Sequence, residues 1–81
     1  MPQVTVYSSN MCSTCEMVKA FLKLRGVEFT EKNVSTDVQG RAELLALGFD
    51  TTPVTVVGEK CVDGFDVGRL DAALAAAGRL R

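Results

Sequence analysis

Two cysteines, Cys12 and Cys15, are the residues of this 81-residue chain whose type and spacing point most directly to chemistry. They follow a short β-branched run at residues 4–7 that predicts a first strand, and they open a stretch of helical apolar spacing over about residues 13–25. Cys12 therefore falls at a helix N-terminus, where free N–H groups and the helix dipole favour an anion. A thiol placed there has its pKa lowered from about 8.5, and the thiolate is the nucleophile of disulfide exchange.

The spacing of the two cysteines suits a reversible bridge. Helix side chains three positions apart share a face with Cβ atoms about 5–6 Å apart, whereas a disulfide needs roughly 3.5–4.5 Å, so a small rotation closes it. Cys15 also begins an apolar stripe that continues through Val18, Phe21 and Leu22. We expect Cys12 to be the exposed attacking thiol and Cys15 the resolving thiol, with the N–H groups of Thr14 and Cys15 and the Thr14 hydroxyl stabilising the thiolate.

Composition excludes several other classes of function. The chain has no histidine, which removes His-based zinc sites, Ser-His and Cys-His nucleophile pairs and any imidazole base. Nine basic and ten acidic residues give a net charge of −1, a poor footprint for nucleic acid or an anionic membrane. With no apolar run near the ~20 residues of a membrane span and no signal-peptide pattern, we expect a cytoplasmic monomer with one domain, residues 1–81, and no metal site.

The apolar pattern predicts an α/β fold in the order β-α-β-α-β-β-α, a four-stranded mixed sheet flanked by three helices. Beyond the first helix it predicts strands at 27–34, 54–57 and 61–63, a helix at about 37–47, and a last helix ending near Gly78. Two strand–helix–strand units imply a parallel core, and a turn at Gly58 adds an antiparallel edge strand.

The sequence predicts the ends of two of these helices and the apolar faces of two. Gly26 is expected to end the first helix, and Ser35 or Thr36 to cap the second. The expected apolar face of the second helix consists of Val38, Ala42 and Leu45. That of the last helix consists of Val67, Leu70, Leu74 and Ala77.

Three motifs together carry a family resemblance: Cys12-Ser13-Thr14-Cys15, Thr52-Pro53 and Gly64-Phe65-Asp66. In order and spacing they resemble the small bacterial glutaredoxins of the thioredoxin superfamily, including the redoxins that donate electrons to ribonucleotide reductase. The resemblance spans essentially the whole chain. It implies a thioredoxin-like (glutaredoxin) fold and a dithiol–disulfide oxidoreductase that cycles between the Cys12–Cys15 disulfide and the dithiol.

The same resemblance implies roles for residues outside the cysteine pair. Pro53 is expected to be cis and to face the disulfide, exposing the backbone of Thr52 for strand-like pairing with a thiol substrate. Asp66 is expected to bind the free amine of glutathione or a partner, to cap the last helix, or both. The full expected substrate-binding set is Met11, Ser13, Thr14, Thr51, Thr52, Pro53, Gly64, Phe65 and Asp66.

Departures from the family pattern leave the reductant open. Glutathione-using members carry a basic residue shortly before the first cysteine, where this chain has Ser9, Asn10 and Met11. The family's Gly-Gly pair is replaced by Asp63-Gly64, and the tryptophan typical of the ribonucleotide-reductase redoxins is missing. The resemblance implies no tightly bound cofactor, a disulfide-containing protein substrate such as ribonucleotide reductase or a peroxidase, and re-reduction by a thioredoxin-reductase-type flavoenzyme or by glutathione as co-substrate.

Alternatives to this interpretation exist for each cysteine. Cys12 and Cys15 could be ordinary core residues, a copper-carrying C-x-x-C module or a redox switch without turnover, although copper modules follow a βαββαβ order and place methionine where Asn10 stands. Cys61 is either a small packed hydrophobe or a third redox thiol that takes glutathione or links a dimer.

Overall fold

The computed structural model of the protein describes residues 4–78, and the elements follow the predicted order. They are β1 (Val4–Ser8), α1 (Ser13–Leu24), β2 (Thr30–Asn33), α2 (Val38–Ala46), β3 (Val54–Val57), β4 (Lys60–Asp63) and α3 (Val67–Gly78). This β-α-β-α-β-β-α order confirms the predicted fold class and departs from the βαββαβ order of a copper-carrying module. Within the described residues, no helix has the length and apolar character to cross a membrane.

The four strands form one mixed sheet in the order β2-β1-β3-β4. β1 runs parallel to β2 but antiparallel to β3, and β4 is antiparallel to β3. The predicted edge hairpin is therefore confirmed, whereas the prediction of a parallel core is wrong for the second crossover. The loop at residues 47–53 leads to the end of the sheet at which β1 terminates. Val54 therefore pairs with Tyr7, and β3 runs antiparallel to β1.

The helices cover both faces of the sheet. One core cluster joins β1, β3 and β4 to α1 and α3, and the other places Leu44 of α2 against Tyr7 and Val54. The predicted stripe of α1 is confirmed, since its buried residues are Cys15, Val18, Phe21 and Leu22. In α3, Leu70 and Ala77 are buried and Leu74 packs against the core, whereas Val67 at the first turn is 41% exposed.

The predicted apolar face of α2 is wrong. Val38, Ala42 and Leu45 are all exposed, and the buried positions are Gly40 and Leu44. The helix begins one residue later than expected because its cap is Asp37, whose carboxylate accepts a hydrogen bond from Gly40 N at 2.9 Å, rather than Ser35 or Thr36. A Cβ at Gly40 would lie 3.2 Å from that carboxylate and 3.3 Å from Lys32 Cβ, which explains a glycine inside the helix.

The second strand is shorter than the predicted 27–34. Gly26 has φ +69° and ends α1 as expected, and Val27 N donates to Leu22 O at 2.9 Å. This closure of the helix end holds Val27 out of the sheet, although Val27 and Phe29 still pack against the core. Pairing with β1 therefore starts only at Thr30, opposite Thr5.

Candidate functional site

The cysteine pair lies where β1 leads into α1. Cys12 is the N-cap residue of α1, with φ −113° and ψ 100°, and its Sγ accepts a hydrogen bond from Cys15 N at 3.2 Å. A disulfide joins Cys12 to Cys15, whose Cα atoms are 5.2 Å apart. The expected placement at a helix N-terminus and the expected bridge are therefore both present.

Cys12 and Cys15 differ in their exposure to solvent. Cys15 is 0% exposed beneath the start of the helix, while Cys12 is half-buried at the surface. Met11, directly before the pair, has φ +55° and is fully exposed, and Ser13 and Thr14 are exposed on the first turn of α1. An incoming molecule can therefore reach Cys12 between these side chains but cannot reach Cys15.

Hydroxyl groups surround the accessible sulfur. Thr14 Oγ1 lies 3.5 Å from Cys12 Sγ, and Thr52 Oγ1 lies 4.0 Å from it, placed to donate. Thr52 Oγ1 is itself 2.6 Å from Ser9 Oγ. Within residues 4–78, the hydrogen-bond partners of Cys12 Sγ are thus two hydroxyls and one backbone N–H, all uncharged.

The second segment at the site is the loop before β3. The Thr52–Pro53 peptide bond is cis, as the resemblance implies, Pro53 is buried and Thr52 half-buried. Gly64, which has φ +75°, donates its N–H to Pro53 O at 2.8 Å. This bond fixes the end of β4 against the proline loop, while Thr51 remains exposed at the rim.

Phe65 and Asp66 serve structural roles in the state described. The ring of Phe65 packs edge-on against Phe21 of α1 at 6.2 Å between centroids. Asp66 Oδ1 accepts from Arg69 N at 3.1 Å and Asp66 O from Leu70 N at 2.9 Å, so Asp66 caps α3. Its carboxylate is nevertheless exposed at the helix start.

An ion-paired cluster lies one helical turn beyond Cys15. Ser8 Oγ donates to Glu31 Oε2 at 2.7 Å, and Lys19 Nζ lies 2.9 Å from the same oxygen. The Lys19 ammonium, followed by the Ser8 hydroxyl, lowers the pKa of Glu31, and Glu16 also pairs with Lys19 at 2.7 Å. The cluster connects α1 to β2. It was not predicted from the sequence because its members lie on three different elements.

Sequence reasoning also missed the contribution of Ser9. The available signal was the absence of a basic residue from the segment Ser9, Asn10 and Met11 before the first cysteine. The structure shows the hydroxyl of Ser9 bonded to Thr52, 43 residues later. Elsewhere in the described residues, Cys61 is a half-buried free cysteine and no group of three or more His, Cys, Asp or Glu residues is placed to hold a metal ion.

A buried and an accessible cysteine at the start of the first helix, beside a cis-proline loop on this mixed sheet, define a thiol–disulfide oxidoreductase of the thioredoxin superfamily. Comparison with known protein families assigns the chain to one family within this superfamily. The model of the glutaredoxin family matches residues 4–62, and the chain belongs to the glutaredoxin family.

Individual relatives and structures agree with this assignment. The glutaredoxin-like protein NrdH of Lactococcus lactis is 34% identical over 62 residues, covering 76% of this chain and 86% of that protein. A glutaredoxin of Pseudomonas aeruginosa is 36% identical over 84 residues, covering 94% of this chain and 100% of that protein. The glutaredoxin-like NrdH-redoxin of Escherichia coli, which has a thioredoxin-like activity profile, superposes with a TM-score of 0.73 at 28% identity, covering 98% and 95% of the two chains.

Proposed function

We propose that this protein reduces disulfides of protein partners, with Cys12 as the attacking residue and Cys15 as the resolving residue. The unequal exposure of the two cysteines carries this assignment, because only Cys12 is open to a macromolecular disulfide while Cys15 is 0% exposed directly beneath it. The backbone N–H of Cys15 and the hydroxyls of Thr14 and Thr52 point at the sulfur that must bear the negative charge.

The exchange proceeds in two displacements that conserve atoms and electrons. The Cys12 thiolate attacks one sulfur of the partner disulfide, and the other partner sulfur leaves as a thiolate that takes a proton from solvent. The Cys15 thiolate then attacks Cys12 Sγ and expels the second partner thiol. The partner gains two electrons and two protons, and the protein is left as the Cys12–Cys15 disulfide.

The loop before β3 is proposed to align the partner. The cis Thr52–Pro53 bond lies beside Cys12 at the edge where β1 ends and β3 begins, so the backbone of Thr52 can pair with an extended segment next to the partner's cysteine. Met11, Ser13, Thr14 and Thr51 are exposed around this position and form the proposed contact rim. Gly64 and Phe65 support it through Pro53 and Phe21.

Single cysteine variants test the assignment. Cys12→Ser should abolish insulin disulfide reduction, whereas Cys15→Ser should lose turnover and accumulate a mixed disulfide with the partner, which mass spectrometry detects. Cys61→Ser is the matched control and should keep wild-type turnover. Survival of protein-disulfide reduction in Cys12→Ser would contradict the scheme, and a single turnover by the wild type would indicate a redox switch in place of a reductase.

We further propose that a thioredoxin-reductase-type flavoenzyme re-reduces the protein. The residues before Cys12, at positions 9–11, carry no charge that would attract a glutathione carboxylate. The similarity to NrdH proteins points the same way. We propose that the protein is a cytoplasmic monomer. Its proposed partners are disulfide-containing enzymes such as ribonucleotide reductase or a peroxidase.

Two recycling assays separate the reductants. NADPH with thioredoxin reductase is compared with NADPH, glutathione and glutathione reductase, each with the oxidised protein at the same concentration. Faster NADPH consumption in the first assay is expected. Faster consumption in the second assay would place the protein with the glutathione-dependent members of the family.

A further inference from the structure

We propose that Ser9 is a positioning residue for the Cys12 thiolate and acts through the hydroxyl of Thr52. The proposal rests on the proposed role of Cys12 as the attacking thiol and extends it to a residue outside all three sequence motifs. Ser9 lies in the β1–α1 loop and Thr52 in the loop before β3, and their oxygens are 2.6 Å apart. No contact between Ser9 and a sulfur is needed for the effect.

The direction of the two hydrogen bonds follows from the number of protons available. A threonine hydroxyl has one proton to donate and can accept through its lone pairs. Thr52 Oγ1 is placed to donate to Cys12 Sγ, so its proton is committed whenever that bond is made. The 2.6 Å contact then requires Ser9 Oγ to be the donor and Thr52 Oγ1 the acceptor.

This arrangement gives Ser9 two effects on Cys12. It holds the Thr52 hydroxyl in the rotamer that faces the sulfur, and it polarises the Thr52 O–H bond, because hydrogen bonds in a chain strengthen one another. Both effects favour a thiolate over a thiol. The two neutral hydroxyls thereby supply part of the stabilisation of the Cys12 thiolate that a nearby cation would otherwise provide.

Charged groups are present on the elements around Cys12. On α1, Glu16 pairs with Lys19 at 2.7 Å, and at the start of α3 Asp66 accepts from Arg69 N. Asp50, on the loop before β3, is exposed and is the same in every variant compared, whereas Cys15, 0% exposed beneath Cys12, is a second thiol at the site. A test must therefore remove the Cys15 thiol so that a single group is followed.

The test measures the rate at which iodoacetamide alkylates Cys12 as a function of pH, in a Cys15→Ser, Cys61→Ser background that leaves one thiol. This readout reports the thiolate fraction of Cys12 and does not require disulfide turnover. Ser9→Ala should move the midpoint of the profile to higher pH and lower the alkylation rate at about pH 6 by about threefold. Ser9→Thr, which keeps a hydroxyl, should restore the parent profile.

Two further variants assign the path of the effect. Ser35→Ala is the matched control, because the Ser35 hydroxyl accepts from Asn10 N in the same loop at 3.0 Å without contacting Thr52. It should leave the profile unchanged. In a Thr52→Val background, Ser9→Ala should have no further effect, since the hydroxyl that connects Ser9 to the sulfur has been removed.

An unchanged midpoint in Ser9→Ala would overturn the proposal, and so would a shift of the same size in the Thr52→Val background. These outcomes are distinguishable from failure of the proposed function. The latter is decided by insulin reduction in Cys12→Ser, whereas the alkylation profile of Cys12 exists whether or not the protein turns over a disulfide. Circular dichroism of each variant establishes that it is folded before its profile is measured.

Discussion

Thr55 is a buried threonine in β3 whose hydroxyl has no hydrogen-bond partner in the described structure. It is 0% exposed and lies in the sheet between Val6 of β1 and Val62 of β4, both members of the core. A buried hydroxyl without a partner costs roughly 1–3 kcal/mol, whereas an apolar group of the same shape does not. The residue therefore lowers stability in the centre of the sheet.

Thr55→Val should raise the free energy of unfolding by about 1 kcal/mol, because it replaces the hydroxyl with a methyl group and keeps the β-branched shape. Urea denaturation followed by circular dichroism measures the change. Thr30→Val, at an exposed strand position, is the control and should change stability by less than about 0.5 kcal/mol. A less stable Thr55→Val protein would mean that the hydroxyl is satisfied in solution.

The residues of the site differ in how far the sequence alone determined them. Cys12 and Cys15 were identifiable because their spacing, the preceding strand and the following apolar stripe are all local features. The contact between Ser9 and Thr52 was not, because 43 residues separate the two hydroxyls and Ser9 belongs to none of the three motifs. The family resemblance placed the Thr52–Pro53 segment at the disulfide, but the apolar pattern did not predict the antiparallel pairing of β1 with β3 that holds the two loops at the same end of the sheet.

At the scale of elements, α2 shows how a short helix is misread. The apolar residues at positions 38, 42 and 45 share one face of the helix, and the sequence pattern predicted that this face is buried. The face that packs on Tyr7 and Val54 instead carries Leu44. Nine residues contain too few turns for periodicity to separate the two choices. Where the helix begins is set by its cap, Asp37.

Asp37→Ala should therefore destabilise the protein by about 1 kcal/mol, the usual cost of losing an N-cap hydrogen bond. Thr36→Ala, at one of the two cap positions predicted from the sequence, is the matched control and should cost less, because its hydroxyl donates to Asn33 O at 3.3 Å and does not cap α2. The comparison uses urea midpoints at neutral pH. Equal losses in the two variants would indicate that the cap is shared.

On the scale of the whole molecule, the edge strand β2 connects both helical layers to the sheet. Its alternating side chains point to opposite faces: Glu31 pairs with Lys19 of α1, and Lys32 pairs with Glu43 of α2. Tyr7 OH also donates to Glu43 at 3.1 Å. Charged side chains on an edge strand oppose strand-to-strand association, which supports the proposed monomer.

These ion pairs predict a loss of stability in acid. The Lys32 ammonium, then the Tyr7 hydroxyl, lowers the pKa of Glu43 below its ordinary value of 4.5, and Lys19, then Ser8, does the same for Glu31. Each carboxylate therefore stabilises the fold fully above pH 4.5, and this stabilisation disappears as pH falls through the lowered folded-state pKa. The urea midpoint should fall over this range.

Glu43→Gln should be less stable than the wild type at neutral pH and should lose less stability on acidification, because it has no carboxylate to protonate at this position. Lys32→Met should weaken the dependence of the urea midpoint on pH over the same range. The double variant should weaken it little further, since both changes remove the Lys32–Glu43 ion pair. A wild-type acid profile in Glu43→Gln would assign the loss to other carboxylates, Glu31 first among them.

The turn between β3 and β4 lies at the opposite end of the sheet from the cysteines. Val57, which enters the turn, pairs with Val4 at the start of β1, whereas Val54 pairs with Tyr7 next to the site, and Gly58, Glu59 and Lys60 are exposed. The molecule thus has one end for chemistry and another available for attachment. Fixed to a sensor surface or fused to a fluorescent reporter through this turn, the protein would present its disulfide outward, towards the solution.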